Sequence, residues 1–357
     1  MCISKTKISI YLLTLCFLFI YLNVNAQSKS NKGKDFWVGF MKHKEGSSSK
    51  TSLYITSDST TTGTVSVPGQ SWSQNFTVTA NNITVVTIPS ANSYNDCSDC
   101  VTKKGVNITS KKDVIVYAHH YQDDQSDATL VLPTRTLGKS YYIVGYNQVS
   151  PGNTGRNTFG IVAVKDNTKI NITPTQAITK NGGGTLPAKS TYSITLNKGE
   201  FYQGVASSGA FSADLTGTKI EVIDTGANAN CRTAAVFSGS SYLSINSGCS
   251  GVASGDNLLE QMFPIPSWGS RFVLVPSLGR NSDNFRFIAS EDNTEVVAFN
   301  TGAAPDVIYL NKGEFGDLNT QSIIRNVVSN KPIMAVQFQR TASCDGWRNR
   351  TGDYRTN

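Results

Sequence analysis

The chain has 357 residues, of which 39% are hydrophobic and 16% charged, and a formal net charge of +7. This composition is typical of a globular protein, and it excludes a disordered or collagen-like chain, a coiled coil and a multi-span membrane protein. The basic residues are dispersed rather than clustered, so we expect no nucleic-acid partner.

The amino terminus has the pattern of an export signal. Lys5 and Lys7 precede an apolar run over residues 8–22, and Val24 and Ala26 then supply the small residues of a cleavage site. This order predicts a cleaved signal peptide over residues 1–26. The alternative is a signal-anchor helix, although the apolar run falls short of the ~20 residues that span a bilayer. No later run is apolar enough to cross a membrane, so we expect a secreted or cell-surface protein.

Three related segments follow, and each opens with glycine before an aromatic and β-branched run. The openings begin at Gly33, Gly138 and Gly269. Self-similarity at this spacing indicates a repeat architecture. We therefore predict three β units, over residues 33–137, 138–268 and 269–357. The third unit reaches an aspartate without the continuation that follows in the other two, so it is predicted to be incomplete.

The second and third units share two further motifs. Residues 159–172 match residues 285–298, and both segments contain Asp-Asn-Thr. Residues 194–201 match residues 308–315, and both contain Asn-Lys-Gly. Asp and Asn hydrogen-bond turn backbones and Asn tolerates positive φ, so we interpret all four segments as β-hairpins.

Short predicted strands alternate with turn signals throughout, and no segment has the periodicity of an amphipathic helix. Each unit of about 110 residues holds about seven strand candidates, a density typical of β-sandwiches and barrels. The predicted fold is all-β, with tandem repeated antiparallel β-sandwich-like units. A β-propeller is the alternative, but its ~45-residue blades are shorter than the repeat.

Five cysteines follow the predicted signal peptide, and an exported protein is expected to use them in disulfides. Cys97 and Cys100 are predicted to form a local bridge, because no second pair at metal-binding spacing accompanies them. Cys231 and Cys249 are the other natural pair. This pairing leaves Cys344 as a free thiol, an intermolecular bridge or a residue whose partner lies beyond Asn357.

The only dense group of metal-ligating residue types is the run from His119 to Asp124. Adjacent residues of a strand point to opposite faces, so His119 and His120 are poorly placed to share an ion. The chain has three histidines in all, and it lacks a Gly-x-Ser-x-Gly elbow, so a serine triad is poorly supported. We therefore predict no catalytic residue, no metal and no cofactor.

The opening motif resembles that of the IgG Fc-binding protein amino-terminal domain family. The resemblance rests on ordered motifs at residues 33–40, 112–117, 127–133, 137–142 and 163–168, and it covers most of residues 33–353. The export signal, which ends in Asn-Ala-Gln, is similar to those of Bacteroidota surface proteins. The resemblance implies a non-catalytic extracellular binding or adhesion module, with a protein or glycan partner.

Aromatic and histidine side chains in loops supply binding energy at low entropic cost. The predicted ligand-binding residues are Trp72, Tyr94, His119, Tyr121 and Trp347. Two alternatives remain open. One is an extracellular carbohydrate-active hydrolase with paired carboxylates, whose separation depends on the fold. The other is a purely structural spacer.

Overall fold

The computed structural model describes residues 30–123, 125–223, 232–245, 255–341 and 344. The predicted signal peptide lies outside the described residues. Strands make up most of the described chain, and every strand-to-strand ladder is antiparallel, so the predicted all-β antiparallel fold is confirmed. Within the described ranges, no helix is long and apolar enough to cross a membrane.

We group the strands into three repeats. Repeat 1 contains β1 (Gly33–Val38), β2 (Lys50–Thr56), β3 (Thr61–Val67), β4 (Trp72–Val78), β5 (Ile83–Ile88), β6 (Cys100–Thr102), β7 (Val106–Gln122) and β8 (Gln125–Val131). Repeat 2 contains β9 (Ser140–Tyr142), β10 (Asn157–Ala163), β11 (Thr168–Thr173), β12 (Ile178–Thr179), β13 (Thr185–Leu186), β14 (Tyr192–Leu196), β15 (Phe201–Val205), β16 (Lys219–Ile223), β17 (Ala234–Leu243) and β18 (Asp256–Gln261). Repeat 3 contains β19 (Gly269–Leu274), β20 (Asp283–Ala289), β21 (Thr294–Ala298), β22 (Asp306–Leu310), β23 (Phe315–Gln321) and β24 (Arg325–Gln339).

Within the described residues, helical structure is confined to short turns between strands. They are the α-helix α1 (Ser90–Ser93) and 3-10 turns at Gly46–Ser48, Pro68–Gln70, Thr134–Thr136, Pro151–Asn153 and Ile265–Ser267.

The three repeats share one pairing pattern. In repeat 1, β2 pairs with β5 in one sheet and β3 pairs with β4 in the other, while the long strand β7 pairs with both β2 and β3. Repeat 3 does the same with β20–β23, β21–β22 and the long strand β24. In repeat 2, β10–β15 and β11–β14 form the two pairs, and β16 and β17 take the place of the long strand. Each repeat therefore contains two strand pairs, which a long strand joins in repeats 1 and 3 and two separate strands extend in repeat 2.

The prediction of hairpins at the Asp-Asn-Thr and Asn-Lys-Gly motifs is wrong. In repeat 2 the strands on either side of each motif lie in different sheets, and in repeat 3 they lie on opposite sides of β24 in one six-stranded sheet. In neither repeat do they pair with each other. The turn chemistry is as expected, because Asn167 and Asn293 have φ of 55° and 53°. All seven residues of β10 are buried, so this strand needs cover on both faces. A turn that carries the chain into the facing sheet supplies cover on one of them.

The repeats are stacked: the sheet that contains β17 packs against the core of repeat 1, and residues of β24 pack against the core of repeat 2. Ala235 and Phe237 of β17 belong to the hydrophobic core of repeat 1, together with Phe40. Met334 and Phe338 of β24 belong in the same way to the core of repeat 2. We use the term outer face for the face of such a sheet that points away from the core of its own repeat. Buried apolar area at both junctions stabilises the stack.

Cys97 forms a disulfide with Cys100, the first residue of β6. Strand β6 pairs with β15 and so adds a short strand to a sheet of repeat 2. Cys344 is also disulfide-bonded, so the prediction that leaves it without a partner is wrong. Its partner, and the predicted pair Cys231 and Cys249, lie outside the described residues.

Candidate functional site

The outer face of repeat 1 differs from the other two because it lacks a covering core in the described chain. In the second half of β7, the even-numbered side chains from Val114 to His120 are buried. The odd-numbered side chains from Ile115 to Tyr121 point to the other face and are partly or fully exposed. This alternation follows from the two-residue period of a strand.

Neighbouring strands extend this exposed surface, which we call the aromatic face. Tyr54 of β2 lies directly opposite Tyr117, and Val85 of β5 lies opposite Tyr54. Ile83 is 66% exposed and Tyr117 is 44% exposed. The aromatic face consists of Tyr54, Ile83, Val85, Tyr117, His119 and Tyr121. Contiguous exposed apolar surface of this kind marks interaction sites on soluble proteins.

The rings at one side of the aromatic face hold each other in place. His119 and Tyr121 are stacked, with ring centroids 4.3 Å apart and an interplanar angle of 12°. Tyr54 meets His119 edge-on, with centroids 5.7 Å apart. A 2.7 Å hydrogen bond joins His119 Nε2 and Ser126 Oγ, and Lys50 Nζ lies 5.8 Å from the Tyr121 ring centroid. Rings ordered in this way lose little further entropy when a partner binds.

The two adjacent histidines lie on opposite sides of the sheet. Behind the aromatic face, His120 shares a 2.9 Å hydrogen bond with Ser49 Oγ, and its ring centroid lies 4.8 Å from that of His43. Burial lowers the pKa of His43 and His119, and it lowers that of His120 furthest. No group of three metal-ligating side chains occurs among the described residues. Nothing in the sequence around His43 indicated that it would pack against His120.

The other predicted binding residues lie elsewhere. Trp72 begins β4 and packs, partly buried, against the core of repeat 1. Tyr94 is buried, and its hydroxyl donates a 3.1 Å hydrogen bond to Asp96. Tyr94 is therefore inaccessible to a ligand at the surface, which corrects its prediction as an exposed loop aromatic. Trp347 lies outside the described residues. Of the predicted binding residues that the structure describes, His119 and Tyr121 lie together, whereas Trp72 and Tyr94 lie elsewhere.

A second region is a cavity of about 650 Å³ bordered by β18 and β24. Asp127 and Glu260 both line it. Burial raises the pKa of Asp127 to about 6, although backbone N–H groups of Leu259 and Ala128 donate to its carboxylate. Desolvation of the Glu260 carboxyl, together with the negative charge of Asp127, raises the pKa of Glu260 to about 8. Sequence reasoning missed this pair, because β8 and β18 meet only in the folded chain.

Comparison with known proteins identifies the family. Residues 127–355 match the family model described as IgGFc binding protein, and this range is more than half of the chain. The chain belongs to the IgGFc-binding family. The match begins in β8 and includes every strand of repeats 2 and 3, whereas the aromatic face lies entirely before it.

The individual proteins that match this chain share low sequence identity with it. A human IgGFc-binding protein is 26% identical over 199 residues, which are 55% of this chain and 3% of the human protein. A calcium-stabilised adhesin with which an Antarctic bacterium binds ice aligns over 86% of this chain and 73% of its own, at 9% identity. The TM-score of that alignment is 0.14, too low to support an argument about fold or function.

Proposed function

We propose that this protein is a secreted or cell-surface, non-catalytic binding module that recognises an extracellular protein through the aromatic face. The observation that carries the proposal is the contiguous exposed surface around Tyr54, Tyr117 and the stacked pair His119 and Tyr121. Tyrosine-rich surfaces with ordered rings are common at the centres of protein interfaces. Family membership supports a protein partner, and the family's description makes immunoglobulin Fc the first one to test.

The repeat architecture gives this proposal a physical basis. The outer faces of repeats 2 and 3 are covered by the core of a neighbouring repeat. The outer face of repeat 1 has the same strand arrangement and carries apolar side chains, but no described residues cover it. An apolar sheet face left in water gains free energy when a partner covers it.

The test is binding of the purified chain to immobilised Fc fragment, mucin, matrix proteins and a glycan panel. The double variant Tyr54→Ser/Tyr117→Ser removes two adjacent rings from the aromatic face. We expect at least a tenfold loss of affinity, because central aromatic residues carry most of the energy of such interfaces. Binding to a glycan alone would change the class of partner.

Tyr309→Ser is the matched control, because Tyr309 is 73% exposed on β22 of repeat 3, away from the aromatic face. Its affinity should equal that of the unaltered chain. Equal losses in the control and the double variant would remove the aromatic face as the site. A folded chain that binds nothing in the panel would contradict the binding function itself for those partners and favour a structural spacer.

The cavity favours a second candidate function, a carbohydrate-active hydrolase. Two carboxyl groups line one cavity. The pKa values of about 8 for Glu260 and about 6 for Asp127 would leave the first protonated and the second largely ionised at neutral pH, and glycoside hydrolysis divides its roles between such an acid and such a carboxylate. Release of reducing sugar from mucin or polysaccharide, with loss of that activity in Glu260→Gln, would support the hydrolase. Absence of release by the unaltered chain would leave the carboxyl pair with a structural role.

A further inference from the structure

Repeat 3 has a second sheet surface, formed by β22, β21, the first half of β24 and β19. The counterparts of these strands are β4, β3, β7 and β1 in repeat 1, and β14, β11, β16 and β9 in repeat 2. Val297 and Val328 point away from the core of repeat 3, because they alternate with the buried residues Val296 and Val327. Strand pairing places one row of four such outward side chains across each of the three sheets.

This row is polar in two repeats and apolar in the third. It consists of Asn75, Thr64, Thr109 and Asp35 in repeat 1. It consists of Ser193, Asn171, Glu221 and Ser140 in repeat 2. The corresponding residues of repeat 3 are Val307, Val297, Val328 and Arg271. The polar rows are hydrogen-bonded within themselves, since Thr64 donates to Asn75 over 2.8 Å and Ser193 donates to Asn171 over 2.6 Å. Three valines take these places in repeat 3.

Neighbouring side chains enlarge the apolar surface. The backbone N–H of Phe299 donates to the backbone oxygen of Asn326, which pairs with Val273 in the next row. Val275 follows β19, and Ile324 precedes β24. We define the valine face as Val273, Val275, Val297, Phe299, Val307, Ile324 and Val328. Val297 and Val328 at its centre are partly exposed, and the other five are between 43% and 63% exposed. Contiguous apolar surface of this kind marks an interaction site.

The size of the valine face is sufficient for a weak dimer. Four strands and about four outward positions along each strand cover roughly 19 by 27 Å, from the usual strand spacing and rise. Two copies packed face to face would bury roughly 1,000 Å², which is about the smallest area of a specific protein interface. Rows of β-branched side chains pack well against each other when two sheets lie ~10 Å apart.

The charges at the edges of the valine face complement each other. Arg271 lies on β19 at one edge, and Asp306 lies on β22 at the other. A two-fold axis parallel to the strands, between β21 and β24, would place β19 of each copy over β22 of the other. Arg271 of each copy would then lie near Asp306 of the second copy, and Val297 would face Val328. Asp306 also contacts Arg325 of its own chain, and a carboxylate has acceptor sites for both arginines.

We propose that the valine face binds the same face of a second copy of this chain, in a two-fold symmetric dimer. Such an interface uses one patch twice, which is the commonest arrangement in homodimers. It includes no residue of the aromatic face, so each dimer would present two aromatic faces. Two linked sites raise the apparent affinity for a partner that can engage both of them.

The test is sedimentation equilibrium of the full chain over a wide range of concentrations. We expect a monomer–dimer equilibrium. The triple variant Val297→Thr/Val307→Asn/Val328→Thr introduces the residues that repeat 1 has in the same row, and it should weaken the dimer more than about tenfold. Thermal unfolding should confirm that the variant is folded. A chain that stays monomeric, or a folded triple variant that dimerises as tightly as the unaltered chain, would overturn the proposal.

The charged edge tests the symmetry of the dimer. Arg271→Glu places two carboxylates together at each edge, so it should weaken the dimer, whereas Arg271→Lys should retain most of the association. Equal dimerisation of the glutamate and lysine variants would overturn the two-fold arrangement.

Two controls identify the surface and its occupant. Tyr54→Ser/Tyr117→Ser should dimerise like the unaltered chain, whatever happens to its binding of Fc or mucin. Loss of the dimer in that variant would assign the contact to the aromatic face and overturn the proposal. A chain that remains monomeric and sediments with phosphatidylcholine vesicles would make a lipid surface the occupant of the valine face, which also overturns it.

Discussion

The outer faces of repeats 1 and 2 show how one strand arrangement can serve two purposes. Tyr117 and Phe237 occupy the same position, three residues after the partner of the opening glycine in each repeat. Tyr117 is 44% exposed, whereas Phe237 is fully buried against repeat 1. Burial of this face therefore depends on which neighbour packs against it and not on the repeat pattern.

The residues opposite this position have adapted to each environment. Tyr54 pairs with Tyr117 and completes the exposed aromatic surface. Gly160 pairs with Phe237, and a Cβ atom there would lie 2.6 Å from the Phe201 ring, so only glycine leaves room for the packing of repeats 1 and 2. In repeat 3 the residue that corresponds to Tyr54 and Gly160 is Arg286, which pairs with Val336 and is fully buried.

The largest effect is expected at Arg286, which joins repeat 3 to repeat 2. Its guanidinium lies 2.6 Å from Asp214 and 2.7 Å from Asp317, and its centre lies 3.9 Å from the Phe315 ring centroid. Arg286→Ala would leave both carboxylates without their counter-ion. We expect a loss of about 3–5 kcal/mol in the free energy of unfolding, measured by urea denaturation.

Arg286→Lys retains the charge without the planar fork and should recover part of the stability lost by the alanine variant. An alanine variant as stable as the unaltered chain would show that this ion-pair network does not hold the two repeats together.

The second prediction compares the corresponding positions directly. Phe237→Ala should lower the free energy of unfolding by about 3–4 kcal/mol, because it opens a cavity between repeats 1 and 2. Tyr117→Ala should lower it by less than about 1 kcal/mol, because the ring is already partly in water. Thermal and urea denaturation of the two variants measure the difference. Equal losses would mean that the outer face of repeat 1 is covered in solution.

The third prediction concerns pH. Burial lowers the pKa of His120 well below its unfolded value, so the unfolded state binds a proton more readily as pH falls below about 6.5. The free energy of unfolding should therefore decrease between about pH 6.5 and pH 5. His119→Gln, on the exposed side, should change this slope less than His120→Gln on the buried side. Urea denaturation at several pH values measures the pH dependence of the free energy of unfolding for each variant.

The smallest effect is expected at Glu260, whose pKa is raised to about 8. The folded state holds this proton more tightly than the unfolded state, so its contribution to stability is lost as pH rises from about 4.5 to about 8. Glu260→Gln should remove this dependence and stabilise the chain slightly above pH 8. Thermal unfolding at pH 5 and pH 8.5 measures the change, and Glu295→Gln on β21 is the control.

The repeat itself could be predicted from the sequence, because glycine openings and Asp-Asn-Thr turns recur where equivalent strands begin and turn. The positive φ at Asn167 and Asn293 follows from their side chains. The sheet to which each following strand belongs could not be predicted. A turn motif acts over a few residues, whereas strand pairing depends on partners up to about a hundred residues away.

The candidate site was predicted in part. His119 and Tyr121 were selected as aromatic or polar residues near a strand end, and they lie together on the exposed face. Tyr94 has the same features in the sequence, yet it is buried. Lys104 Nζ donates to its backbone oxygen, and its hydroxyl faces the backbone oxygen of His43. Residue type indicates what a side chain can contact, and the packing of distant segments decides whether it is accessible.

The all-β class, the repetition of a β unit and the positive φ of the turn asparagines can be predicted from the amino-acid sequence alone, because they depend on local periodicity and on the φ preferences of individual residues. The exposure of one outer face and the burial of the other two depend on how the repeats pack in the tertiary structure. The proximity of Asp127 to Glu260 likewise depends on tertiary packing. These features arise where separate repeats touch, and interactions over such separations in the chain leave no local pattern to be read.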